Sequence, residues 1–256
     1  MRVCGSRPTE AVTVDGLFCL GGRGFRVSEN RPSVDAKAML STRGLSVGYD
    51  TALVSGIDLD IFPGDIIGII GASGIGKTTI LRTLAGLVPP FHGTLERTLI
   101  ERGELGYIPQ RLGLVRHASV EHNVALGARS SARKPPEGVS VRRWKSTVTS
   151  EAIKAMGLTE KTREPVRRLS GGQQRRTATA RTLAQRPRII LADEFLSELD
   201  AENVEMVFGA IHRLVKENDA ALVVVEHNVE RAFQYCTRVL RVEDGRLNPV
   251  EGGEDE

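Results

Sequence analysis

Apolar and polar residues follow two rhythms along this chain. Leu45 and Val47, then Leu53, Ile57, Leu59 and Ile61, alternate with polar neighbours as half-buried β-strands do. Residues Ile66–Ile70, 189–192 and 220–225 are unbroken apolar runs, the signature of strands covered on both faces of a parallel sheet. Helical spacing intervenes: Ile80, Leu81, Leu84 and Leu87 recur every three to four residues, and Val204, Val207, Phe208, Ile211, Leu214 and Val215 share one face. Further strands are expected over 93–100, 188–191 and 238–242, and further helices over 172–185 and 229–236. Asp244-Gly245 reads as a turn. Strand and helix in alternation predict an α/β fold.

Residues 111–168 break the rhythm. They are polar, mostly helical, and carry a Pro-Pro-Glu-Gly insert at 135–138, so a helical subdomain set into the α/β core is expected over about 111–170. Residues 1–38 have no sustained periodicity and read as an irregular or disordered extension, which makes Met39 a candidate start. The organised sequence is expected to run over 39–247, with an acidic tail at 248–256.

Composition narrows the class. The apolar runs are far too short to cross a bilayer, while 40% hydrophobic residues in 256 suffice for a core. Cys4, Cys19 and Cys236 lie far apart without metal-ligand spacing, which points to a reducing compartment and no disulfide framework. No secretory signal is visible. Net charge is only +3, but Arg129, Arg133, Lys134, Arg142, Arg143 and Lys145 crowd one segment. Arg163, Arg167, Arg168, Arg175, Arg176 and Arg181 crowd the next. With no interleaved aromatics these read as a solvated face, and no nucleic-acid partner is expected.

The candidate chemistry starts at residues 71–79, GASGIGKTT, which meets G-x-x-x-x-G-K-[ST] between an apolar strand and a helix. Glycines let the backbone wrap closely round a phosphate chain, and N–H groups at the helix start point at the anion. Gly71, Ala72, Ser73, Gly74, Ile75, Gly76, Lys77, Thr78 and Thr79 are therefore candidate nucleotide-binding residues. Lys77 is placed for the β- and γ-phosphates and Thr78 for Mg²⁺. The run 189–194 ends in two carboxylates, with Asp193 placed to hold Mg²⁺ and Glu194 to orient the attacking water. Leu169, Ser170, Gly171, Gly172 and Gln173 form a second glycine-rich helix start with Ser170 as N-cap, again gathering donors toward an anion.

These motifs, in this order, resemble the ATP-binding cassette (ABC) ATPase family over about residues 39–247. LSGGQ at 169–173 resembles the family signature, 71–78 its Walker A and 189–194 its Walker B motif. Tyr49 is similar to the aromatic that stacks on adenine, Gln110 to the Q-loop glutamine that reaches Mg²⁺, Asp200 to the D-loop aspartate and His227 to the switch histidine. The resemblance implies a P-loop NTPase fold with a RecA-like, mainly parallel sheet, an antiparallel β subdomain and an inserted α-helical signature subdomain. It implies an ATPase using ATP and Mg²⁺, with Glu194 and His227 catalytic. It also implies a second cassette subunit whose ATP meets this chain's signature, a separate membrane permease, and in an importer a substrate-binding protein. The location implied is cytoplasmic, peripheral at the inner face of the membrane.

Among cassettes, 184–200 and 235–246 are most similar to phosphonate-type importers. The alternatives are a soluble cassette of the iron–sulfur assembly type and an exporter ATPase. Some positions depart from the family. Phe195-Leu196 replaces the usual Pro-Thr, Glu198 stands where a small residue is common, and Thr177 and Thr179 replace apolar residues. The two threonines are expected to bond back to the preceding turn. Glu226 precedes His227 where Thr is usual, and its carboxylate is expected to raise the histidine's basicity.

Overall fold

A computed structural model describes residues 37–98, 101 and 103–250. The expected extension, apart from its last residues, and the acidic segment 251–256 lie outside the described residues.

The elements follow in chain order. Strands β1 (Leu40–Gly48), β2 (Ala52–Ile61) and β3 (Ile66–Ile70) lead to helix α1 (Lys77–Leu84), then β4 (His92–Arg97) and β5 (Leu105–Ile108). Three helices come next: α2 (Val120–Ser130), α3 (Val141–Ala155) and α4 (Gly171–Gln185). The chain closes with β6 (Ile189–Asp193), α5 (Ala201–Glu217), β7 (Ala221–Val225), α6 (Val229–Tyr235), β8 (Arg238–Glu243) and β9 (Arg246–Val250).

Two sheets result. β2-β1-β4 is antiparallel, and β5-β6-β7-β3-β8-β9 is parallel except for β9. The unbroken apolar strands serve two cores at once. Ile67 and Ile69, Ile189 and Leu191, and Val223 and Val225 pack toward the antiparallel sheet and α1. Their alternating neighbours Ile190, Ala192, Leu222 and Val224 pack against α4, α5 and the helical segment. A period-two strand buried on both sides needs apolar residues throughout, as the sequence has. Gly68, inside β3, permits a close approach: a Cβ there would stand 2.9 Å from Cys236 Sγ at the end of α6.

Three departures from the expected elements have local causes. Leu87 does not extend the apolar face of α1, because Gly86 turns left-handed (φ +75°) after the helix ends, leaving Leu87 62% exposed. The sheet does not stop at residue 247: β9 continues to Val250 along β8, and as an outer strand it tolerates Pro249. The basic face is not uniformly solvated. Arg167 and Arg168 are exposed, but Arg175 is buried, and Arg181 donates to the carbonyls of Leu112 and Gly113.

Phe195 and Leu196 are buried at 1% and 2% exposure in the helix-side core, which accounts for two large apolar residues after the β6 carboxylates. Thr177 and Thr179 bond back as expected, to the carbonyls of Gln173 and Arg175 at 2.8 and 3.1 Å.

Candidate active site

Strand order assembles the site. With β5, β6, β7 and β3 side by side and parallel, their C-terminal ends lie in a row. Gln110 follows β5, Glu194 follows β6, His227 follows β7 and the glycine-rich loop follows β3. Ligands of open α/β sheets bind at this edge. A cavity of about 210 Å³ there is lined by Ser73, Gly74, Gly76, Lys77, Thr78 and Thr79 together with Gln110, Glu194 and His227. A larger groove of about 750 Å³ between α3 and α5 holds none of the residues expected from sequence.

The loop is shaped by glycine and held by lysine. Gly76 caps α1 at φ 113°, and Gly71 stands so close to β8 that a Cβ would meet Val242 O at 2.7 Å. Lys77 Nζ donates to the carbonyls of Gly71 and Ala72, both at 2.7 Å, arching the loop round its own ammonium. Lys77 is 4% exposed, and burial lowers its pKa while Glu194 and Asp193 oppose the shift.

Asp193 lies against Thr78. Its Oδ1 accepts from Thr78 Oγ1 at 3.1 Å. Its Oδ2 is buried without a partner. Burial raises its pKa, Thr78 counteracts this, and nearby Glu194 adds to it. An orphaned carboxylate oxygen beside a hydroxyl is the oxygen-only donor set that suits Mg²⁺, which takes few protein ligands and completes its shell with phosphate and water. No group of three or more His, Cys, Asp or Glu among the described residues could hold a metal alone. The fit is therefore to a cation shared with a bound phosphate.

Glu194 stands at the mouth. Its backbone takes the left-handed region (φ +52°), rare for a residue with a side chain and typical of functional strain. One carboxylate oxygen accepts from Gln110 Nε2 at 3.1 Å, and the other lies 2.6 Å from His227 Nε2. The expected effect of Glu226 on His227 is corrected here. Its Oε1 accepts from the backbone N–H groups of His227 and Asn228 at 3.0 and 3.2 Å, so it caps the loop, and the imidazole meets Glu194 instead.

The other candidates lie outside this cavity. Tyr49 follows β1, is 55% exposed, and its hydroxyl accepts from Arg82 Nη1 at 3.3 Å. Ser170 caps α4 in a capping box with Gln173, each side chain bonded to the other's backbone. Leu169 is buried, whereas Ser170 and Gly171 are exposed, and none of Leu169, Ser170, Gly171, Gly172 and Gln173 lines the cavity. Asp200 caps α5 through Asn203. Sequence reasoning missed Arg175, which donates to the Glu194 carbonyl at 3.2 Å and to Glu198 Oε1 at 3.3 Å. It sits in an arginine-rich run, and no periodicity separates a buried arginine from its solvated neighbours.

Comparison with known proteins agrees with this geometry. A family model described as ABC transporter matches residues 54–197. A phosphonates import ATP-binding protein of Paraburkholderia xenovorans is 36% identical over 215 residues, covering 75% of this chain and 69% of the relative. A lipoprotein-releasing system ATP-binding protein of Caulobacter vibrioides is 32% identical over 227 residues, covering 82% and 96%. Among solved structures, the dimeric post-hydrolysis state of the ATP-binding cassette MJ0796 bound to ADP and Pi superposes with a TM-score of 0.72 at 26% identity, covering 82% and 96%. With its glycine-rich loop and the residues after β5, β6 and β7 on the sheet edge where the strand order puts them, this chain belongs to the ABC transporter family and is an ATP-hydrolysing cassette.

Proposed function

We propose that this chain is the ATPase subunit of a bacterial importer, working as a pair of cassettes at the cytoplasmic face of a separate membrane permease supplied by a substrate-binding protein. The observation that carries the catalytic part is the Glu194 carboxylate held between Gln110 and His227 at a cavity lined by Lys77 and Thr78, with Asp193 bonded to Thr78. In this reading the loop N–H groups and Lys77 hold the β- and γ-phosphates, and Tyr49 stacks on the base. Thr78 and Asp193, with the Gln110 carbonyl, would hold Mg²⁺, which when bound neutralises charge developing on the transferred phosphoryl group. Glu194 accepts the proton of the attacking water as its oxygen bonds in line to the γ-phosphorus and the bond from that phosphorus to the β–γ bridging oxygen breaks, with ADP leaving. His227, hydrogen-bonded to that carboxylate, keeps it oriented.

The second cassette is supported by the exposed signature. Ser170 and Gly172 lie outside this chain's own cavity, and the similar cassette MJ0796 is dimeric. Import is supported by relatives named for phosphonates and spermidine/putrescine import, beside one named for L-cystine transport. Their variety leaves the cargo to the permease. The lipoprotein-releasing relative favours an export-side reading, and a binding-protein gene beside this one would decide against it. No helix among the described residues is long and apolar enough to cross a membrane.

Glu194→Gln tests the catalytic assignment. It keeps the size and one carbonyl but removes the base, so hydrolysis should fall by about 10²–10⁴-fold with MgATP affinity little changed. The stalled protein should elute as a dimer in MgATP, and adding Ser170→Arg should return it to monomer. Wild-type turnover in Glu194→Gln refutes the assignment, and a monomer with ATP bound refutes the paired signature.

A further inference from the structure

Arg175 lies one turn into α4, the helix that Ser170 caps, and is 7% exposed. Its guanidinium spans two groups on the loop after β6. Nη1 donates to the carbonyl of Glu194 at 3.2 Å, and Nη2 to Glu198 Oε1 at 3.3 Å. The Glu194 carbonyl also accepts from the N–H and hydroxyl of Ser197, at 3.2 and 2.7 Å. The chain thus reverses tightly between Glu194 and Ser197, and Arg175 closes that reversal from the side of α4. Glu194 and Glu198 both take left-handed backbone conformations, φ +52° and +64°, which side chains rarely adopt without external restraint.

The same loop leans on the signature glycines. A Cβ on Gly171 would stand 2.9 Å from Glu198 Oε2, and one on Gly172 would meet Leu199 Cδ2 at 3.4 Å. Glu198 therefore touches the start of α4 with one carboxylate oxygen and Arg175 with the other. A guanidinium can hold two acceptors in one plane, which an ammonium cannot. Glu198, the departure that sequence alone leaves without a purpose, has its partner here.

We propose that Arg175 and Glu198 form a positioning pair that fixes the Glu194 turn to the signature helix of the same chain. The inference rests on the assignment of Glu194 as the hydrolytic carboxylate. Its consequence is directional: α4 and the Glu194 turn move as one body. Engagement of this chain's signature by the partner's nucleotide then sets the aim of Glu194 at its own nucleotide.

Steady-state ATPase kinetics of the full chain test it, with thermal midpoints measured alongside. Small displacements of a catalytic group cost rate more than affinity. Arg175→Gln should lower kcat about tenfold while KM for ATP stays within about twofold. Glu198→Gln should lower kcat about threefold, and the double variant should match Arg175→Gln, because both changes break one contact. Arg175→Lys, which keeps the charge but spans one acceptor, should fall between wild type and Arg175→Gln. Unchanged kcat in Arg175→Gln, losses that multiply in the double variant, or a rise in KM in place of the kcat loss would each overturn the pair. If Arg175→Gln does not fold, Glu198→Gln decides, since its carboxylate is 65% exposed and its loss leaves the core intact. Glu194→Gln run in parallel separates the two readings. A stalled Glu194→Gln beside wild-type kinetics in the Arg175 and Glu198 variants overturns the pair alone. Wild-type turnover in Glu194→Gln overturns the assignment and the pair with it.

Discussion

Two helical glycines should respond to alanine with opposite signs. Gly127 in α2 faces α4, and a Cβ there would stand 1.8 Å from the Arg181 carbonyl oxygen. Gly209 in α5 has nothing within 4 Å of the same position. Alanine stabilises a helix interior over glycine by about 1 kcal/mol, and Gly209→Ala should keep most of that gain. At Gly127 the two helices must part by ~1 Å or more, and overpacking of that kind costs about 1–3 kcal/mol. Because the obstacle is backbone, with no flexible side-chain end to yield, the upper part of that range applies, leaving a net loss of about 2 kcal/mol. For a domain of this size, each kcal/mol moves the thermal midpoint by roughly 2–4 °C. Calorimetry should therefore place Gly127→Ala roughly 4–8 °C below wild type, and Gly209→Ala roughly 1–4 °C above it. The strain at Gly127 also reaches function, since Arg181 holds the carbonyls of Leu112 and Gly113 just beyond Gln110. ATPase activity of Gly127→Ala should fall at temperatures where it is still folded. A neutral or stabilising Gly127→Ala, or a destabilising Gly209→Ala, would refute the packing argument.

Removing the aromatic ring in Tyr49→Ala should weaken ATP binding about tenfold, the size of one base–aromatic stack. Tyr49→Phe loses only the long bond from Arg82 and should stay within about twofold by calorimetric titration. Asp193 holds its proton more tightly in the fold than in the unfolded chain, so its contribution to stability falls as pH rises through the carboxylate range. Asp193→Asn does not ionise, so without nucleotide its thermal midpoint should gain on wild type as pH rises through the carboxylate range, while its ATPase is lost. A constant difference across that range would contradict the burial argument.

How much of this the sequence disclosed follows from what each signal rests on. The unbroken apolar runs identified β3, β6 and β7 because a strand buried on both faces can carry little else. Walker A, Walker B and the signature were legible because backbone chemistry forces glycine, lysine and hydroxyl residues into fixed spacing. Convergence was not legible from spacing: Glu194 and His227 lie 33 residues apart and meet only because β6 and β7 pair in register. Glu226 was misread because its carboxylate meets the backbone N–H of His227, while the imidazole turns to Glu194. Leu87 and β9 were missed because one positive-φ glycine ends a helix early, and because an outer strand with Arg, Asn and Pro carries almost no apolar pattern.

The capping box at Ser170 constrains that position more tightly than capping alone does. Ser, Asp and Asn cap helices about equally well, because capping asks only for an oxygen that accepts from the third backbone N–H. Ser170 meets that demand with one lone pair, accepting from Gln173 N at 3.2 Å. A hydroxyl so engaged still has its hydrogen to give, whereas an ionised aspartate has only acceptors. Folding the single chain thus fixes the oxygen while leaving the O–H rotor to find a neighbouring anion. The rotational freedom lost on meeting that anion shrinks to one torsion. If the proposed pairing brings a phosphate here, Asp at this site would preserve the helix and repel it, so a screen for stability alone would accept a residue that a screen for turnover rejects.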